Sequence, residues 1–227
     1  SRAWGVALDQ VDQSVLLPLF DMADHEPQGV SVHFDEDLGT ASIIANRDHI
    51  GLSLPIHTYY HNSSNFVFLS SYGFTLTGND HHLLCRLSID DGSGNLVRKE
   101  LTASFDDDDF QNLMTELRQS DAELSEFQKE LGALETISEA ASEQLNEFST
   151  TIEDDDKLLQ TNLTLNQINA VRSRRHEKLC LSRYKDLHSM VTDAVGKGDW
   201  SEFQESYGLW SGADEYITNL QAMDHKV

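Results

Sequence analysis

The chain has 227 residues, 39% of them hydrophobic, which is enough to bury a core in one large domain or two ordinary ones. Its 16 Lys plus Arg stand against 39 Asp plus Glu, a formal charge of -23 that repels phosphate backbones and argues against a nucleic-acid partner. A basic protein or peptide would be attracted, although an acidic surface that only aids solubility accounts for the same charge.

Along the first part of the chain, short apolar runs alternate with Gly, Pro, Asn and His: SVLLPLF, VSVHF, TASIIA, NFVFLSSYGF and HLLCRLSI. Their length and their content of Val, Ile, Phe and Tyr read as short strands with little helix. The Gly/Asn/Asp cluster from Asp90 to Asn95 is a loop or hairpin signal and marks a boundary. Beyond it the periodicity turns helical. Phe110, Leu113, Met114 and Leu117 recur at three- and four-residue steps behind the acidic run Asp106 to Asp109, whose carboxylates suit a helix N-terminus. A second helix is expected over Asp121 to Phe148, with Leu124, Phe127, Leu131, Leu134 and Ile137 on one face. A third follows Thr150 and Thr151, which can cap it, and a longer one runs from Leu165 to about Val195, ended by Gly196 and Gly198. The tail, with Trp200, Phe203, Tyr207, Leu209 and Trp210, reads as one or two docked helices.

The expected fold class is therefore α+β. A short-stranded, β-rich portion covers residues 1–89, a linker 90–105, and an all-α domain 106–227.

Several patterns carry no chemistry of their own. The acidic runs at 106–109 and 153–156 lack the Gly and terminal Glu of a calcium loop and read as helix starts. The basic face Arg172, Arg174, Arg175 and Lys178 suits ion pairs to those acidic segments better than nucleic acid. His81 and His82 are adjacent, so on a strand they point to opposite faces and cannot share a metal, and no other spacing suggests a metal site. Cys85 and Cys180 belong to no CxxC or Cys/His spacing and read as reduced thiols of an intracellular protein, cytosolic or nuclear. No apolar run reaches the ~20 residues that crossing a bilayer requires, so no membrane partner is expected, and the first residues do not read as a signal peptide.

Three segments fall in a telling order. Pro18-Leu19-Phe20-Asp21-Met22-Ala23-Asp24-His25 is followed by Tyr60-His61-Asn62-Ser63-Ser64-Asn65, then by Ser71-Tyr72-Gly73-Phe74, with Asn79 after Gly78. In order and approximate spacing they resemble a SET-domain protein methyltransferase of the Rubisco large-subunit methyltransferase (LSMT) type. Its pattern runs Pro-Leu-x-Asp-x-x-Asn-His, Tyr-Gly-x-x-Ser-Asn and Tyr-Gly-Phe. STTIEDDDKLLQ and RSRRHEKLCL similarly resemble elements of the helical domain that follows the catalytic one.

The resemblance implies methyl transfer from S-adenosylmethionine to a lysine of a protein or peptide substrate. Such an in-line displacement asks the protein for alignment, a dry channel and aimed dipoles more than for acid or base strength. It places Asp24 and His25 where the cofactor is held, Tyr60 where a phenol orients the amine, and Tyr72 in the lysine channel. Counting forward from Arg47 and Asp48 reaches Tyr59 instead of Tyr60, so Tyr59 is a second channel candidate. Each of these residues has a plain structural alternative, as a packed tyrosine or a histidine bonded to backbone. The chain departs from the pattern at Asp24, which replaces an amide and lacks its NH2 donor, at His61, which replaces a glycine, and at His49 to Pro55, which replaces a Gly-Glu-Glu turn. The family's catalytic domain opens with a Gly-rich cofactor-binding segment, which the resemblance puts ahead of residue 1. A catalytically impaired homologue that serves as a protein-binding module is the alternative reading.

Overall fold

The computed structural model describes residues 3–8, 11–16, 24–25, 30–35, 40–45, 57–58, 63–80, 82–90, 96–118 and 123–224. Two compact units divide between Asn62 and Ser63.

The described residues of the first unit form six short strands: β1 (Ala3–Leu8), β2 (Val11–Leu16), β3 (Asp24–His25), β4 (Val30–Asp35), β5 (Thr40–Ala45) and β6 (His57–Thr58). β1 pairs antiparallel with β2 and β4 with β5, while β3 runs parallel to β6, with Asp24 opposite His57 and His25 opposite Thr58. The apolar runs VSVHF and TASIIA each supply a strand, as their β-branched content predicts, and Ser14 to Leu16 of SVLLPLF form the end of β2.

The second unit begins with α1 (Asn65–Tyr72), and here the structure differs from the sequence expectation of a strand over NFVFLSSYGF. Capping decides the difference. The Ser64 hydroxyl accepts from the Val67 amide, and Gly73, at φ 78°, closes the C-terminus in the left-handed region that glycine enters without strain. Strands β7 (Leu84–Asp90) and β8 (Leu96–Thr102) then form an antiparallel hairpin. β8 lies within the stretch read as a linker, 90–105. It escaped the sequence reading because only Leu101 of its seven residues is buried, so no apolar alternation marks it.

Five helices follow: α2 (Asp108–Leu117), α3 (Glu126–Glu147), α4 (Ile152–Leu159), α5 (Leu165–Lys197) and α6 (Ser201–Tyr207); α7 (Ala213–Asp224) completes the tail. Their boundaries obey local chemistry. Asp107 caps α2, and Ser125/Gln128, Thr151/Asp154 and Thr164/Gln167 form reciprocal capping boxes at the starts of α3, α4 and α5. Gly198, at φ 65°, ends α5. α3 starts later than expected, at Glu126, and Leu124 is left 40% exposed before its cap.

The core of this unit is one cluster. Leu87, Leu101, Leu113, Leu134 and Ile137 meet Cys180, Leu181, Tyr184, Leu187 and Val191 of α5. The Ser138 hydroxyl donates to the Tyr184 carbonyl (3.0 Å) and accepts from the His188 amide (3.2 Å), and so ties α3 to α5. The tail wraps Phe105, whose ring lies 4.5 Å from that of Tyr216 and 5.1 Å from that of Trp210. Glu130, fully buried, accepts from the Tyr216 hydroxyl at 2.6 Å; Arg118 Nε stands 2.5 Å away as an ion pair without hydrogen-bond alignment.

The basic face of α5 reaches the acidic start of α4, as its charges lead one to expect. Asp155 is fully buried. Lys178 Nζ contacts it at 2.9 Å and also donates to Thr150 Oγ1 at 2.7 Å, while Arg174 pairs with the same carboxylate. Burial alone would raise the Asp155 carboxyl, but the hydrogen bonds and charges of Arg174 and Lys178 hold it below the ordinary carboxylate value. Cys85 and Cys180 are both free and buried; burial and the neighbouring Cys180 sulfur push the Cys85 thiol well up, so it stays protonated. No helix among the described residues is long and apolar enough to cross a membrane.

Candidate functional site

Of the site residues that the resemblance assigns, Asp24, His25, Tyr59, Tyr60 and Tyr72, only Tyr72 has side-chain surroundings among the described residues. Tyr59 and Tyr60 lie outside the described residues, as do the side chains of Asp24 and His25, whose backbones form β3.

Tyr72 is the last residue of α1. Its ring, half-buried, meets Phe68 at 6.2 Å and Phe74 at 6.0 Å between centroids, and Phe68 stacks on Phe74 at 5.3 Å. Aromatic rings of this kind present an apolar surface.

The turn that follows Tyr72 has few apolar anchors and is held by side-chain amides instead. Asn65, at the start of α1, accepts from the Leu76 amide at 2.8 Å and donates to the Leu76 carbonyl at 3.0 Å. Asn169, on α5, accepts from the Thr75 amide at 3.2 Å and from the Thr75 hydroxyl at 2.9 Å, and donates to the Gly73 carbonyl at 3.1 Å. Asn79 donates to the Ser63 carbonyl at 2.9 Å and closes the loop at its base. Asn65 and Asn169 are 0% and 1% exposed, so these amides stand where neighbouring strands would otherwise satisfy the backbone.

A second layer comes from α5. His176 Nε2 lies 2.9 Å from Asp80 Oδ1 and 3.2 Å from Asn65 Nδ2, and Arg175 reaches Asp80 at 3.4 Å and Asp156 at 2.5 Å. Burial lowers the His176 pKa below the usual 6.5; Asp80 pulls it up, while Arg175 and Arg172 push it further down.

Sequence reasoning placed Asn65 and Asn79 in motifs but missed Asn169 and His176. A signal existed. Asn169 and His176 are seven residues apart, and His176 is four before Cys180, so both continue the buried stripe Cys180, Tyr184, Leu187, Val191. A polar residue in phase with an apolar stripe implies a buried partner.

Lys178 is also buried. Its amine already contacts Thr150, Thr151 and Asp155, which leaves it in a structural role. Among the described residues no group of three or more His, Cys, Asp or Glu could hold a metal ion.

Residues 99–181 match the protein family described as Rubisco LSMT substrate-binding. No curated protein matches the chain. Among solved structures, the chain is similar to the SET domain of LSMT bound to lysine and AdoHcy, with TM-score 0.61 and 18% identity over 86% of this chain and 53% of that one. It is similar to Rubisco LSMT bound to AdoMet, with TM-score 0.59 and 19% identity over 86% and 53%. It is also similar to the SET domain of LSMT bound to MeLysine and AdoHcy, with TM-score 0.60 and 18% identity over 97% and 60%. The chain spans about half the length of the first two structures. At these identities the likeness is one of fold.

Proposed function

From a chain with an LSMT-like α+β fold whose residues 99–181 match a Rubisco LSMT substrate-binding domain, we propose an S-adenosylmethionine-dependent protein-lysine N-methyltransferase, to which these residues contribute the lysine channel and the substrate-binding domain. The observation that carries this reading is Tyr72. A tyrosine expected in a lysine channel stands at the end of α1 beside the stacked rings of Phe68 and Phe74, just before a turn gripped by Asn169 of the matched region.

The bound cofactor would supply an electrophilic methyl on a sulfonium. The donor set at Asp24 and His25 suits part of such a ligand: backbone amides and an imidazole for the adenine and amino-acid ends. The Asp24 carboxylate offers no NH2 donor and repels the cofactor's own carboxylate, which weakens binding. By the resemblance Tyr60 would orient the substrate amine, and Tyr72, with Tyr59 as the second candidate, would line the lysine channel; the Phe68 and Phe74 rings beside Tyr72 would help to keep that channel dry. The charge of -23 favours a basic protein or peptide as substrate.

The departures at Asp24, His61 and the His49 to Pro55 stretch favour a second reading, a binding module that keeps the substrate-binding domain without turnover. Incubating the full-length protein with tritiated S-adenosylmethionine and an array of lysine-containing basic peptides separates the two. The first reading predicts label on the lysine Nε, lost in Tyr72→Ala. Label on arginine or histidine alone, or peptide binding with no label while cofactor is bound, would overturn it.

A further inference from the structure

We infer that Asn169 is a positioning residue for Tyr72, so that the substrate-binding domain sets where the channel tyrosine stands; this rests on the lysine-channel reading of Tyr72. Asn169 lies within the matched region 99–181, yet its amide is spent on the residues just after Tyr72: the Gly73 carbonyl at 3.1 Å, the Thr75 amide at 3.2 Å and the Thr75 hydroxyl at 2.9 Å.

The arrangement is a bidentate clamp. A side-chain amide offers a donor and an acceptor a fixed distance apart, and Asn169 spans the carbonyl of one residue and the amide of the second residue after it, as a strand partner would. Both backbone groups sit at the α1 C-terminus, where helix carbonyls and the following amides lack intrahelical partners. Gly73 is at φ 78°, so the chain reverses immediately after Tyr72, and the direction of its carbonyl sets that reversal. Phe74, between the two clamped residues, is one wall against the Tyr72 ring. A shift at Gly73 or Thr75 therefore moves both the phenol and its wall.

The alternatives for this contact are weaker. A purely structural hydrogen bond on a buried helix would need no match to both groups of the turn. Asn65 repeats the same donor-plus-acceptor grip on Leu76, and His176, two turns further along α5, backs Asn65 at 3.2 Å. α5 thus meets the Tyr72 turn directly at Asn169 and, through Asn65, a second time at His176 on the same face.

The test uses full-length protein carrying a fluorinated tyrosine at position 72. The fluorine NMR resonance is compared in the parent, in Asn169→Ala, and in Tyr207→Phe, a control that loses the Tyr207 hydroxyl bond to the Arg183 carbonyl. Positioning predicts that Asn169→Ala shifts or splits the resonance while Tyr207→Phe, at a comparable loss of melting temperature, leaves it in place. An unmoved resonance in Asn169→Ala overturns the inference. Asn169→Asp, which keeps the acceptor for Thr75 and loses the donor to Gly73, gives the same test if the alanine variant does not fold. Calorimetric titration with L-lysine in the presence of S-adenosylhomocysteine supplies the functional arm. Asn169→Ala should weaken L-lysine on the order of tenfold, with S-adenosylhomocysteine affinity changed less than about twofold, since misplacing a channel group acts on the amine alone. If the parent protein does not respond to L-lysine, the channel reading fails, and the fluorine comparison alone decides whether Asn169 holds Tyr72.

Discussion

Two regions of the second unit are built on opposite principles. The helical body is closed by apolar contact: Leu134 and Ile137 of α3 against Leu181, Leu187 and Val191 of α5, with Phe105 inside an aromatic ring of Phe203, Tyr207, Trp210 and Tyr216. The turn after Tyr72 is closed by amides: Asn65 and Asn169 each satisfy a backbone donor and a backbone acceptor of it, and Asn79 ties its end to the Ser63 carbonyl. Apolar packing is non-directional and sums over area, so it makes a body stable but fixes no single group sharply. Buried hydrogen bonds contribute less net stability and impose direction. A body that anchors and a turn that aims is the division of labour that the proposed role of Tyr72 calls for.

Substitutions sharpen the contrast. Leu187→Ala removes fully buried packing and should cost about 3 kcal/mol in chemical denaturation, while leaving the spectroscopic signature of Tyr72 unchanged in the folded protein. Asn65→Ala leaves the Leu76 amide and carbonyl without their partner and should cost less, about 2 kcal/mol, yet it should displace Tyr72. If the two variants perturb Tyr72 equally, the contrast is broken. Thr164→Ala removes the hydroxyl from the α5 capping box and should cost about 1 kcal/mol by thermal melting, with no effect at Tyr72.

The smallest effect is a pH dependence. The pKa of His176 is lowered in the folded protein, chiefly by burial, so the unfolded chain binds the proton more readily. Its contribution is fully present above the unfolded value near 6.5 and is lost as pH falls below that value toward the folded one. Denaturation midpoints between about pH 7 and pH 5 should fall more steeply in the parent than in His176→Gln. Equal slopes would remove His176 from the account.

The same contrast explains what could be read from sequence. α2, α3 and α5 are legible because apolar positions recur at three and four residues, and the acidic run before α2 and Gly198 after α5 mark ends; the Ser125 cap of α3 is not picked out, so its start is placed too early, at Asp121. The run at α1 was misread because eight apolar-rich residues fit a strand or a helix equally well; Ser64 and Gly73 held the answer. β8 was hidden by its exposed, charged face. Tyr72 came from an ordered set of motifs. Asn169 lies 94 residues from Thr75, and no local pattern pairs them. Only its place on an apolar stripe hinted at a buried partner.

The measurement that bears most directly on the central claim is calorimetric titration of the full-length protein with S-adenosylhomocysteine, followed by L-lysine. The account predicts saturable binding of the first ligand, strengthened in Asp24→Asn, and binding of the second that Tyr72→Ala abolishes. A folded protein that takes up neither ligand at millimolar concentration would contradict the methyltransferase reading and leave the binding module.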